Sequence, residues 1–162
     1  MMAQATLTRD QFIVEPGKQD IVIKTVFDAP RDRVYRAYTD RHLVPKYWGP
    51  ASLTTKVDRM DVKRGGEWRF IQKDPQGKEF IFRGVYHDVV PSERLTFTFE
   101  WEEMPGHTIL ERVTFKDLEG KTEVTDQMVF QSVEDRDGMY KMGMEQGTRE
   151  SHERFAKLVE KS

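Results

Sequence analysis

A chain of 162 residues can build one well-buried core but not two ordinary domains, and its formal net charge of −2 gives no general attraction to nucleic acid or anionic membranes. With no cysteine there is no disulfide framework, no thiolate metal site and no cysteine nucleophile, which suits a reducing cytoplasm. Met1 to Asp10 lack the apolar centre of a signal peptide and nowhere do about 18 apolar residues run together, so a soluble cytoplasmic protein is expected.

The chain opens on an arm, residues 1–18, whose apolar patch is Phe12, Ile13 and Val14, followed by the turn signal Pro16-Gly17. The arm either adds an edge strand or stays loose. A single domain, residues 19–162, follows. Asp20 to Phe27 is rich in β-branched and aromatic residues and reads as the first strand. Pro30 starts a short helix with Val34, Ala37 and Tyr38 on its apolar face, and Asp40 caps a second short helix that ends near Pro45 and Lys46.

After Tyr47-Trp48-Gly49-Pro50 the pattern turns from helical to alternating. Strands are expected near Leu53 to Asp58, Glu67 to Gln72, Glu79 to Val89, Arg94 to Trp101, Thr108 to Lys116 and Thr122 to Phe130. The short links between them, such as Gly65-Gly66, Pro75-Gln76-Gly77 and Glu119-Gly120, imply antiparallel hairpins. Successive side chains of a strand point to opposite faces. One face then collects Trp68, Phe70, Phe80, Phe82, Tyr86, Leu95, Phe97, Phe99, Ile109, Val113, Val124 and Met128, and the other Arg69, Arg83, Thr96, Arg112, Glu123 and Gln127.

A sheet with one apolar face needs a cover. Ser132 to Lys161 reads as a single long helix that can supply it, with a capping box from Ser132 and Asp135 at its start. Its stripe, Met139, Gly143, Gly147, Ser151, Phe155 and Val159, is bulky at both ends and bare in the middle. An interior glycine costs a helix about 1 kcal/mol relative to alanine, so Gly143 and Gly147 require a tertiary reason. Either helix and sheet come into close contact there, or the stripe leaves room for a ligand opposite Phe82, Tyr86, Phe97 and Phe99.

Two acids fall on the aromatic face by parity, Glu111 and Asp126, on strands that the Glu119-Gly120 turn makes neighbours. Their β-carbons are expected about 4.5 to 8 Å apart. In an apolar cavity one of the two pKa values rises, giving an acid or base, or a clamp for a basic ligand; a β-bulge that turns one of them to solvent is the structural alternative. Tyr47 and Trp48 either line the entrance with their polar tips exposed or plug the end of the core. Met139, Met142 and Met144 suit an adaptable mouth, or ordinary gap filling.

No metal is expected. His107 shares parity with Glu111 but lies roughly 13 Å along the strand from it. His87 and His152 read as surface residues and His42 stays undecided. No serine or threonine is placed by sequence beside a histidine and an acid, and Gly65-Gly66 is a turn and not a phosphate loop.

Several motifs together are similar to one family: Val26-Phe27-Asp28-Ala29-Pro30 with Val34-Tyr35-Arg36-Ala37, Tyr47-Trp48-Gly49-Pro50, Met60 to Trp68, Arg83-Gly84-Val85-Tyr86, Glu93-Arg94-Leu95 and Met144-Glu145-Gln146-Gly147. From Asp20 onwards the chain resembles the domain shared with the C-terminal half of the activator of the heat-shock-protein-ninety ATPase, within the START-like, polyketide-cyclase-like superfamily. The resemblance implies an α+β helix-grip fold: a curved antiparallel sheet around a long C-terminal helix, two short helices closing one end, and a cavity between. Tyr35 stands where the family often has Trp, Thr148 where Trp often follows the helix glycine, and Asp126 where an apolar residue is usual. With no N-terminal co-chaperone domain in the sequence, ATPase activation is not carried over.

The function expected is a binding module, without a cofactor, that encloses a small apolar or amphipathic molecule. Tyr47, Trp48, Trp68, Phe70, Phe82, Tyr86, Phe97, Phe99, Met128, Met142, Gly143, Gly147 and Ser151 form its cavity, with Glu111 and Asp126 for orientation. One alternative is a cyclase- or hydrolase-like enzyme that uses Glu111 and Asp126 for proton transfer. Another is a co-chaperone-like protein-interaction module, in which the patch at Phe12 to Val14 pairs with a partner or a second copy. Monomer and homodimer are both compatible with the sequence.

Overall fold

The computed structural model describes residues 9–160. The beginning of the arm, and Lys161 at the expected end of the last helix, lie outside the described residues. Eight strands form one antiparallel sheet in the order β1-β2-β8-β7-β6-β5-β4-β3. They are β1 (Asp10–Ile13), β2 (Asp20–Phe27), β3 (Thr54–Met60), β4 (Glu67–Lys73), β5 (Glu79–Val90), β6 (Arg94–Trp101), β7 (Ile109–Leu118) and β8 (Lys121–Val129). From β3 onward every strand pairs with its sequence neighbour, which is the meander that short turns dictate. Part of the arm does add an edge strand: Asp10 stands opposite Thr25 and Phe12 opposite Ile23.

Strand β2 shows why the sheet has an inside. Ile21, Ile23, Thr25 and Phe27 are buried while the residues between them are not. The inner face continues through Trp68, Phe70, Tyr86, Leu95, Val113, Phe115 and Val124, all of which belong to the core. Helix α1 (Arg31–Thr39) begins just after Pro30 and buries Val34 and Ala37. The second short helix expected after Asp40 is a single 3-10 turn, Val44–Lys46. Asp40 holds the preceding bend by accepting from the His42 N–H at 2.8 Å.

The C-terminal cover is helical from Val133 to Val159, but it is not regular throughout. Helix α2 (Val133–Met139) leads into a π-helical segment, Tyr140–Met144, and then into α3 (Glu145–Val159). Ser132 Oγ accepts from Asp135 N–H at 3.0 Å, half of the expected capping box, while the Asp135 carboxylate instead meets His107 Nδ1 at 2.9 Å. Arg136, 2% exposed, anchors α2 by donating to the carbonyls of Glu15 and Asp20. Within the π segment Gly143 has φ 90° and ψ 19°, outside helical space. A left-handed residue costs a side chain about 1–2 kcal/mol, so glycine suits the break. Among the described residues no helix is long and apolar enough to cross a membrane.

Candidate functional site

The break in the helix decides which residues face the sheet. A π turn inserts an extra residue relative to α-helical spacing, and the stripe changes phase there. Met144 takes the inward place that a regular helix would give to Gly143. Met142 is 72% exposed and Gly143 is exposed as well, so neither lines the interior, contrary to expectation. A β-carbon built on Gly147 would meet no atom within 4 Å, which removes close helix-to-sheet contact as its reason.

Beneath this bare stretch lies a pocket of about 300 Å³. The sheet contributes Trp68, Phe70, Tyr86, Phe97, Phe99 and Met128, the segment after the 3-10 turn contributes Tyr47 and Trp48, and the helical cover contributes Met139, Met144, Gly147 and Ser151. Phe82 is on the same face but outside the lining, its ring 5.4 Å from those of Trp48 and Phe99. Edge-on contacts, such as Trp48 against Phe70 at 5.1 Å, hold the wall in fixed orientations. Trp68 is oriented further by its Nε1–H, which donates to Thr98 O at 3.1 Å. Gly84 makes this crossing feasible, because a β-carbon there would lie 1.7 Å from that oxygen and 2.5 Å from the indole nitrogen.

The segment that carries Tyr47 and Trp48 is tied down by polar bonds. Ser151 Oγ donates to Tyr47 O at 2.8 Å, and Thr55 Oγ1 to Trp48 O at 3.0 Å. The polar tip of Tyr47 is not exposed as one reading of the sequence had it. Its hydroxyl is buried and donates to Ala37 O at 3.0 Å. Burial first, and Tyr86 second, push the phenol pKa upward.

Glu111 and Asp126 both line the pocket. Glu111 stands opposite Met128 and Asp126 opposite Val113, an unbroken register that makes them diagonal neighbours on the inner face. Burial pushes the Glu111 carboxyl well above its ordinary range, and the Asp126 charge and the hydrogen bond to it act in the same direction. Asp126 is raised too, by burial first, while the bond from Glu111 and the neighbouring His152 act against that. Asp126 Oδ1 is buried with no donor from any other described group. Two carboxylates cannot hydrogen-bond each other unless one keeps a proton. A bond between the two thus needs a proton on one of them, and Glu111, the more strongly raised, is the side that holds it.

His152 is not the surface residue expected. It lines the pocket, with its Nδ1 2.7 Å from Asp10 Oδ1 and 3.2 Å from Thr25 Oγ1. Burial works against the Asp10 carboxylate, but the contacts with His152, Thr25 and Arg149 outweigh it and hold its pKa below the ordinary value. A hydroxyl, an imidazole and a carboxylate thus do meet, which sequence reasoning missed. They do not form a nucleophile relay: Thr25 Oγ1 donates to Asp10 at 2.7 Å, and hydroxyl and acid share one ring nitrogen instead of flanking the ring. Thr25 is also 1% exposed. Among the described residues no group of three or more His, Asp or Glu is placed to hold a metal ion.

A sequence profile of the family described as "Activator of Hsp90 ATPase homolog 1-like protein" matches residues 28–160. The chain belongs to that family. The match spans α1, the 3-10 turn, β3 to β8 and the helical cover, and so includes all the pocket-lining residues except Ile23. No curated protein matches the chain. Among solved structures, the chain is similar to a protein from Arthrobacter aurescens with a TM-score of 0.86 at 23% identity, covering 94% of this chain and 92% of that one. A protein from Mycobacterium smegmatis gives a TM-score of 0.83 at 21% identity, with 92% and 95% covered. One from Chromobacterium violaceum gives 0.80 at 24% identity, with 89% and 99% covered. At these identities the likeness is one of fold, and it agrees with the helix-grip architecture.

Proposed function

We propose that this member of the family is a binding module that encloses a small apolar or amphipathic molecule between the sheet and α3. The observation that carries the reading is Gly147. It tolerates the cost of a helical glycine, yet no neighbour comes within 4 Å of where its β-carbon would be. The space below it is walled by aromatic rings with a few polar groups among them, the Glu111 and Asp126 pair foremost, which is the general make-up of small-molecule sites. Native mass spectrometry of the protein purified from its own host, followed by denaturing extraction, tests it. A co-purifying apolar molecule that is lost in Gly147→Leu is the expected outcome. A clean unliganded mass, together with poor folding of Gly147→Leu, would refute the reading and assign the bare stripe to packing.

A second reading is supported by the raised Glu111 carboxyl: an enzyme of cyclase or hydrolase type in which Glu111 gives a proton and Asp126 receives one. In that case Glu111→Gln and Asp126→Asn abolish turnover of the extracted molecule while its affinity stays within a few-fold. Loss of affinity alone returns the pair to a binding role.

A further inference from the structure

On the reading that the pocket is a binding site, its charge distribution selects among ligands. The titratable side chains lining it are Tyr38, Tyr47, Tyr86, Glu111, Asp126 and His152. No Lys or Arg is among the described lining residues, and the His152 Nδ1 is engaged by Asp10. Arg149 lies outside the lining and is held by Glu145, with Nη2 2.7 Å from Oε2, and faces Asp10 Oδ2 at 4.0 Å, while Arg154 donates to the carbonyl of Gly49 at 2.9 Å. The acidic groups of the interior are the Glu111 and Asp126 pair, in a lining that also holds the rings of Trp48, Trp68, Phe70, Phe97 and Phe99.

We propose that the pocket takes a compact hydrophobic amine, bound as its ammonium cation with the charged head on Glu111 and Asp126 and the apolar body against the aromatic wall. An ammonium supplies up to three hydrogen-bond donors to an acidic pair whose described pocket neighbours include no Lys or Arg. Aromatic faces attract the same charge. A carboxylate or phosphate ligand meets the opposite situation, two buried acids and, among the described lining residues, no Lys or Arg to receive it, the one imidazole being turned to Asp10. Size agrees as well. Liquid water occupies about 30 Å³ per molecule, so a 300 Å³ pocket has room for roughly ten or somewhat more non-hydrogen atoms of a covalent ligand.

The test is a matched set of probes titrated calorimetrically at neutral pH into the full chain: 2-phenylethylamine and octylamine, the alcohols 2-phenylethanol and octan-1-ol, and the acids phenylacetate and octanoate. Each amine is expected to bind at least about ten-fold more tightly than the alcohol of the same skeleton, and each acid more weakly than the alcohol. In the Glu111→Gln/Asp126→Asn double variant, or in Asp126→Asn alone should the double variant not fold, the advantage of the amine falls to within about three-fold while alcohol affinity persists. Alcohols or acids that bind as tightly as amines overturn the amine assignment and leave the cavity reading standing. An amine preference that survives the substitutions overturns it too, because the ammonium is then held elsewhere. Silence from all six probes overturns the cavity reading itself, and this proposal with it.

Discussion

The two halves of α3 face the same sheet with opposite results. Toward its C-terminal end Phe155, Ala156 and Val159 are each at most 4% exposed, and the Phe155 ring lies 4.8, 5.0 and 4.7 Å from those of Phe27, Tyr38 and Tyr47. Roughly two turns earlier Gly147 faces open space. One helix thus serves as a core element at one end and as the roof of a pocket at the other. Bulk supplied by the sequence accounts for the first, and its omission for the second. The sheet shows the same gradient: under Phe155 it presents Phe27, and under Gly147 two acids and a ring of aromatics.

If this division is correct, stability resides at the packed end. Phe155→Ala is expected to lower the unfolding free energy by about 3–5 kcal/mol, the range for deleting a buried aromatic side chain, as read from urea denaturation. A loss below about 1 kcal/mol would mean that the packed end is as loose as the pocket.

A smaller effect of opposite sign is expected at the floor of the pocket. The raised pKa of Glu111 means that the folded protein keeps a proton that the unfolded chain releases above its ordinary value of 4.5. The folded state then binds more protons, so this site's contribution to stability falls as pH rises from 4.5 toward the raised value. Glu111→Gln removes that dependence and is expected to stabilise the protein at neutral pH by about 1–2 kcal/mol, the usual scale for a single buried polar site. Denaturant unfolding of both forms between about pH 4.5 and 8 checks this, since the difference between them must grow with pH. A constant difference would place the two carboxyls in water.

How much of this could be read from the chain alone differs between the two regions. Strand alternation was sufficient for the sheet, and parity with a short turn placed Glu111 and Asp126 on the inner face, because the β7–β8 register runs unbroken. The same alternation found the aromatic wall but not that Phe82 lies outside the lining, since that depends on where Trp48, whose ring is 5.4 Å from it, folds over the sheet. The helix break was hidden for a physical reason. A spacing of four from Met139 through Gly143 to Gly147 is what a regular helix shows, and the available signals were the cost of Gly143 and the five-residue spacing of Met139 and Met144. His152 was misplaced because its partner Asp10 is 142 residues away on an edge strand too short to give a parity of its own. The acid that seats the imidazole was thus visible only once the arm had paired with β2.

The smallest effects separate the two glycines, which look equivalent in the sequence. Gly143 has φ 90° and closes the break, so Gly143→Ala is expected to destabilise by about 1 kcal/mol through backbone strain alone, since open space surrounds it. Gly147 lies within α3 without a positive φ and also faces open space, so Gly147→Ala is expected to stabilise by about 0.5–1 kcal/mol through helix propensity. Both substitutions add one methyl group at positions four apart on one helical cover, so paired denaturant midpoints compare them directly. Opposite signs follow if the stripe breaks at the π segment and roofs a pocket beyond it. Destabilisation by both would mean that α3 lies closer to the sheet than 4 Å from that β-carbon, and the open half of the helix would then belong to the packed half.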